Sequence, residues 1–311
     1  MKILVTGAGG FVGSYLVPEL VSCGHKVAAT FLNSEILEKR SNTTNLAEQS
    51  LVLDITDSKR CFEVVEEAKP DAVIHLAGIA FAPSVAKNFS LGLNVHVGGT
   101  ENICKAIAQY ANGIPFLYIS SGEVYGKITK EDLPITEDLL PKPNNPYSVT
   151  KLQAEEVVKY YGRRELLSAT VVRPFNHIGP GQDENFVCSS FASQIVEATK
   201  STAPVVKVGN LEARRDFMDV RDVVRAYSKL LSAAPGVYNL CSGRSVPIRE
   251  ILDTLIEISG AQIEVQQDES RMRASEVPEI RGSYDKASKE IGWEPKISLK
   301  ESLSDIYKSF E

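Results

Sequence analysis

The first thirteen residues constrain this chain most. An apolar run at Ile3, Leu4, Val5 and Thr6 leads straight into Gly7-Ala8-Gly9-Gly10-Phe11-Val12-Gly13, after which apolar residues recur at helical spacing through Val21 and Gly24 supplies a stop. This pattern reads as a strand turning sharply into a helix. Glycines at 7, 10 and 13 allow positive φ and close approach of a ligand to the backbone, and the helix start offers unpaired N–H groups and a positive dipole end to a pyrophosphate. The Gly-x-x-Gly-x-x-Gly spacing departs from the commoner dinucleotide fingerprint, whose second glycine falls one position earlier.

Similar apolar runs follow at 27–31, 51–53, 72–76, 116–120 and 170–173, with helix-like segments between most of them. The alternation predicts an α/β fold with a doubly wound, Rossmann-type parallel sheet covered by helices on both faces. Two of the helices are expected at 91–110 and 146–161, the second opened by Pro146. Beyond Arg173 the texture changes to a Pro-, Gly- and Asn-rich loop and shorter elements, which predicts a second, smaller α/β domain. The expected division gives 1–173, with segments returning at about 219–260, to the nucleotide-binding domain. Residues 174–218 and 261–311 then form the substrate domain. A strand at 237–240 and a helix at 248–258 are the elements expected to return to the sheet.

With 311 residues and 43% hydrophobic content the chain can bury a full core, and a net charge of −6 argues against nucleic acid as the main partner. Five cysteines without C-x-x-C spacing fit reduced thiols in a cytoplasm. No apolar run approaches the roughly 20 residues of a membrane span, no signal-peptide core precedes residue 3, and the four histidines lack metal-ligand spacing, so neither membrane nor metal is expected.

Of the eleven tyrosines, only Tyr147 has a lysine four places later, Lys151, which stacks the two side chains on one helical face. The strand ending at Ser120-Ser121 precedes them by about 25 residues, and the carboxyl ends of strands line the ligand crevice of such a sheet. A phenol ionises near pH 10, so acid–base work at neutral pH calls for a positive neighbour. Lowering its pKa by about 3 units corresponds to roughly 4 kcal/mol, which the Lys151 ammonium and an oxidised nicotinamide would share. The expected roles are Tyr147 as proton donor, Lys151 as its electrostatic partner and Ser121 as anchor of a substrate oxygen during hydride transfer.

These residues, with Leu53-Asp54-Ile55, His75-Leu76-Ala77-Gly78, Asn94 with Gly99-Thr100, Gly122-Glu123-Val124-Tyr125-Gly126, Arg173-Pro174-Phe175-Asn176 and Arg215-Asp216-Phe217, give the chain a resemblance over nearly its whole length. It resembles the extended short-chain dehydrogenase/reductase family, whose members act on nucleotide sugars. The resemblance implies cofactor contacts at Gly7, Gly10, Phe11, Val12, Gly13, Asn33, Asp54, Ile55, Leu76, Ala77, Gly78, Asn94, Tyr147 and Lys151. It implies substrate contacts at Asn176, Phe186, Val187, Lys207, Arg215, Arg271 and Arg273, the last two suited to a diphosphate. Asp54 as a strand-end cap, Asn176 as a turn former and Arg215 as a surface ion pair stand as alternatives. Relatives pair as homodimers through the helices at 91–110 and 146–161, so a homodimer is implied too.

Phe31 stands where members preferring NAD carry an acid for the ribose hydroxyls, and Asn33, Ser34, Lys39 and Arg40 lie close behind it. NADP(H) is therefore expected, with NAD(H) an open alternative. Members that dehydrate sugars carry two polar residues after the serine; here the first is Gly122 and only Glu123 survives. Glu123 is retained as a candidate base, with a structural role equally open. The stretches 173–182, 208–222 and 239–243 look closest to reductases of GDP-4-keto-6-deoxy-mannose, so reduction of a C4 ketone is the leading expectation. The alternatives are an epimerase or 4,6-dehydratase that recycles its cofactor, and a non-catalytic NADP sensor.

Overall fold

The computed structural model describes residues 1–201, 204–271 and 277–311. In chain order the first half comprises β1 (Lys2–Thr6), α1 (Phe11–Ser22), β2 (Lys26–Phe31), α2 (Ser34–Lys39), α3 (Ser41–Thr44), β3 (Gln49–Val52), α4 (Ser58–Ala68), β4 (Ala72–His75), α5 (Ala82–Lys87), α6 (Phe89–Gly92), α7 (Gly99–Tyr110), β5 (Pro115–Ile119) and α8 (Pro146–Arg163). The second half comprises β6 (Ser168–Pro174), β7 (Asn176–Ile178), α9 (Val187–Thr199), β8 (Val205–Val208), β9 (Arg214–Asp219), α10 (Val220–Leu230), β10 (Gly236–Leu240), β11 (Ser245–Pro247), α11 (Ile248–Ser259), β12 (Glu264–Gln267), α12 (Asp285–Ile291) and α13 (Leu299–Lys308).

Seven strands form a parallel sheet in the order β10-β6-β5-β4-β1-β2-β3. The chain runs outward from β1 in both directions, so the order reverses between β1 and β4, the place where such sheets open a ligand crevice at their carboxyl edge. Strand β1 shows why its sequence is apolar without alternation: Ile3 and Val5 enter one core with α1 and α10, while Leu4 enters the other with α4 and α7. Both faces of the sheet are covered.

A second core lies beyond it, built from Phe191 and Ile195 of α9, Leu252 and Leu255 of α11, and Leu303 and Ile306 of α13. It is bordered by the small sheet β11-β9-β7 and the parallel pair β12–β8. Two expectations about returning segments are corrected here. Helix α11 does not rejoin the large sheet; its apolar face, Ile251, Leu252 and Leu255, is wholly buried in the second core against α9 and α13. Residues within 261–311 rejoin the large sheet instead, because α12 packs on β10 and Trp293 is 2% exposed among the residues of the first core. Amphipathic spacing gave the helices but not the core each would join. Among the described residues no helix is long and apolar enough to cross a membrane, and no group of three metal-ligating side chains gathers.

Candidate active site

The glycine turn is held from three sides. Ala8 N–H donates to the Thr30 carbonyl at 2.9 Å, Gly7 N–H to Thr30 Oγ1 at 3.3 Å, and Leu76 N–H to the Thr6 carbonyl at 3.1 Å, tying the turn to the ends of β2 and β4. Gly7 has φ +73° and a side chain there would meet the Ala77 backbone at 2.8 Å. Of the three glycines only Gly7 takes positive φ. Gly13 is required for contact, since its missing Cβ would lie 2.4 Å from the Ala8 carbonyl oxygen, and Gly10 faces open space, meeting only the Gly7 oxygen at 3.4 Å. No side chain caps α1, so the N–H groups of its first turn, at Phe11, Val12 and Gly13, have no helical acceptor and suit a pyrophosphate. Phe11 stacks on His177 at 6.3 Å and walls the turn on the side of the 176–180 loop.

The flanks of the crevice fit a dinucleotide. Phe31 is fully buried beneath Gly9 at the end of β2, and positions 32–34 carry no carboxylate. Asn33 caps α2, accepting from Ile36 N–H at 2.9 Å, and keeps its amide N–H groups for a ligand. Asp54 accepts from both the N–H and hydroxyl of Thr56, at 2.9 and 2.8 Å, in a turn just beyond β3. Ile55 is buried and fills the space over Gly99. Leu76, Ala77 and Gly78 follow β4 across the turn. Asn94 is exposed within a π-helical turn, Leu93–Gly98, that joins α6 to α7; the helix expected at 91–110 contains this widened turn.

Across the crevice, α8 opens on a reciprocal cap: Asn145 Oδ1 accepts from Ser148 N–H at 2.8 Å and Ser148 Oγ accepts from Asn145 N–H at 3.3 Å. Pro146 occupies the first turn, as predicted, and Tyr147 follows it. Tyr147 and Lys151 are buried, 9% and 7% exposed. Ser121 caps a helical turn, Gly122–Tyr125, its hydroxyl accepting from Glu123 N–H at 3.1 Å, and lies beside the Tyr147 phenol. Ser121, Tyr147 and Lys151 therefore meet at the carboxyl end of β5.

The electrostatics differ from the expectation. Burial pushes the Tyr147 phenol above its ordinary value of 10.0, with the Glu123 carboxylate pushing the same way and the Ser121 hydroxyl opposing. Burial also lowers the Lys151 ammonium to about 8, with Glu155 opposing. Lys151 Nζ donates to the Ile119 carbonyl at 2.5 Å and sits 4.8 Å above the Tyr118 ring, so it is held beneath the site, and it does not overcome the desolvation of the phenol. The phenol is a protonated donor at neutral pH. Glu123 is exposed and accepts from Asn145 Nδ2 at 3.2 Å, a contact that steadies the cap of α8.

Spacing alone missed a buried polar layer below these residues. Glu155, two turns beyond Tyr147 on the same helical face, accepts from Ser120 Oγ at 2.6 Å and from both arms of Arg173 at 3.0 and 2.7 Å. Extending the Tyr147–Lys151 spacing by four residues would have found it. Arg173 in turn lies 4.9 Å from the Tyr125 ring, whose hydroxyl donates to Asn239 at 2.7 Å.

The residues expected to touch substrate lie in three places. Asn176 Nδ2 donates to the Asp216 carbonyl at 3.1 Å, and Arg215 donates to the carbonyls of Arg214 and Val277, both at 2.8 Å. Phe186 and Val187 open α9, with the Phe186 ring edge-on to Phe81 of the other domain at 5.8 Å. Lys207 and Arg271 both act on Asp268 at the end of the β8–β12 pair, and Arg271 backs onto Gly209. Arg273 lies outside the described residues.

A doubly wound sheet with this strand order, a glycine turn after its first strand and Ser, Tyr and Lys at the crevice defines an extended short-chain dehydrogenase/reductase. Within that class the chain belongs to the family described as GDP-mannose 4,6 dehydratase, whose profile matches residues 4–306. It is 38% identical over 313 residues to GDP-6-deoxy-D-mannose reductase of Pseudomonas aeruginosa, covering 100% of this chain and 97% of that one. It is 32% identical over 315 residues to GDP-6-deoxy-D-talose 4-dehydrogenase of Aggregatibacter actinomycetemcomitans, covering 99% and 98%. The solved structure of RMD from Pseudomonas aeruginosa complexed with NADPH superposes with a TM-score of 0.86 at 36% identity, covering 99% and 98% of the two chains.

Proposed function

We infer that this chain is an NADPH-dependent reductase converting GDP-4-keto-6-deoxy-mannose to GDP-D-rhamnose. The observation that carries the reading is the buried Tyr147 phenol, kept protonated by its burial, beside Ser121 and with Lys151 below it at the carboxyl end of β5. A ketone oxygen placed between these hydroxyls accepts from both, so Ser121 orients the carbonyl and Tyr147 delivers the proton. The nicotinamide, when bound, supplies the hydride. Lys151, one helical turn below, stabilises the phenolate left after proton transfer, when a nearby positive charge is worth most. Gly10, the first turn of α1, Asn33, Asp54 and the backbone of Leu76–Gly78, with Asn94 from the π-helical turn, hold the dinucleotide, and Asn176, Phe186, Val187, Lys207, Arg215, Arg271 and Arg273 receive the sugar nucleotide.

Dehydration is disfavoured. It needs a proton donor for the departing C6 hydroxyl as well as a base. A side chain at Gly122, where dehydratases carry the first of their two polar residues, would meet the Phe175 ring at 3.1 Å. Reductase and cofactor-recycling activities separate in one assay: with GDP-4-keto-6-deoxy-mannose a reductase consumes one NADPH per sugar, whereas an epimerase or dehydratase consumes none. Loss of absorbance in that stoichiometry is expected, and its absence defeats the reading. The lack of a carboxylate at 32–34 favours NADPH; tighter binding of NADH in a direct titration would overturn that preference. A homodimer is supported by Phe89, Leu91, Tyr110 and Tyr160, which are 41–48% exposed on α6, α7 and α8.

A further inference from the structure

His96 takes no part in the chemistry above, yet it lies between both halves of the site. The π-helical turn Leu93–Gly98 turns its ring inward, where it is 2% exposed. On one side Ile79 N–H donates to Nε2 at 3.0 Å, and a Cβ on Gly78 would come within 3.2 Å of Cδ2, so the imidazole rests against the backbone that lines the cofactor channel. On the other side it meets the Tyr147 ring edge-to-face, with centroids 5.7 Å apart. Nδ1 pairs with Thr150 Oγ1 at 2.8 Å, and that hydroxyl donates to the Tyr147 carbonyl at 2.9 Å. Ring and backbone of the tyrosine are thus both braced by one side chain.

Resting on the reductase reading, we propose that His96 is a positioning residue, the spacer that sets the separation between the cofactor channel at Gly78–Ile79 and the phenol of Tyr147. A ketone reduction delivers hydride to the carbonyl carbon and a proton to the adjacent oxygen, so its two donors must stand a fixed distance apart. Misplacement of reacting groups by about 1 Å lowers rates by up to about 100-fold. The ring acts through volume and two hydrogen bonds, with no change of charge.

The test compares His96→Ala, His96→Asn and His96→Gln with the parent enzyme, measuring kcat, KM for the keto sugar, the Kd of NADPH and the isotope effect with NADPH deuterated at the transferred position. His96→Ala is expected to lower kcat at least about tenfold and to raise the isotope effect, with KM and Kd within about twofold. Gln, long enough to span the gap, should return kcat to within about threefold; Asn, one bond shorter, should lie between. Should the alanine variant fail to fold, a parental kcat for His96→Asn overturns the proposal. So does a folded His96→Ala that keeps its kcat or loses only affinity. Tyr147→Phe measured alongside separates the two inferences: its inactivity beside an unaffected His96 series sinks the spacer alone, whereas full activity of Tyr147→Phe sinks the reductase mechanism.

Discussion

At Tyr147 two effects compete, and burial wins over the neighbouring charge. The consequence suits reduction, because a donor must hold its proton until the ketone arrives. Lys151, held to about 8 by the same burial, loses its positive charge as pH rises through that value. A plot of kcat/KM against pH, which reports the free enzyme, should fall as pH rises above about 8, approaching tenfold per unit. A flat profile to about pH 9.5 contradicts the role given to the ammonium. Sequence spacing put Ser121, Tyr147 and Lys151 together because residues four apart share a helical face and strand ends line the crevice. It misjudged the electrostatics, since desolvation depends on what Tyr118, Ile119 and His96 place around the pair, and those neighbours come from other elements.

Among the elements, the strand–turn–helix at the amino terminus was fully legible: an apolar run, glycines at fixed spacing, then helical periodicity. What the pattern could not separate was the reason for each glycine. Gly7 serves a left-handed backbone pressed on Ala77, Gly13 lets the helix lie against the Ala8 backbone of the turn, and Gly10 leaves room for a ligand. Gly7→Val is therefore expected to destabilise the fold by about 1–3 kcal/mol and to abolish NADPH binding, measured by urea denaturation and fluorescence titration; parental values for both contradict the account. Gly122→Asp, aimed at the Phe175 ring, should lower activity and melting temperature together and should produce no dehydratase activity. Dehydration of GDP-mannose by that variant would show that Phe175 yields to an acid. The placement of α11 was illegible for a different reason. Its apolar face fits any core, and only the packing of α9 and α13 settles which.

For the whole molecule, two buried histidines give a stability that depends on pH. Burial holds His75 and His96 at about 3, below the ordinary 6.5, so between these values the unfolded chain binds more protons than the folded one. Their contribution is fully present above about pH 6.5 and is lost as pH falls toward 3, by up to about 1.4 kcal/mol per histidine per unit. A lower melting temperature at pH 5 than at pH 7.5 is expected; an equal or higher one would falsify the neutral assignment. The proposed homodimer predicts twice the chain mass of 34.0 kDa by light scattering, and a monomer at micromolar concentration contradicts it. The central claim is most directly tested by a single-turnover measurement in which NADPH-loaded enzyme is mixed with GDP-4-keto-6-deoxy-mannose and the loss of NADPH absorbance is followed for the parent and Tyr147→Phe. The account predicts that the parent oxidises its bound NADPH and that the variant does so about 100- to 10,000-fold more slowly. Equal rates in the two proteins would contradict it.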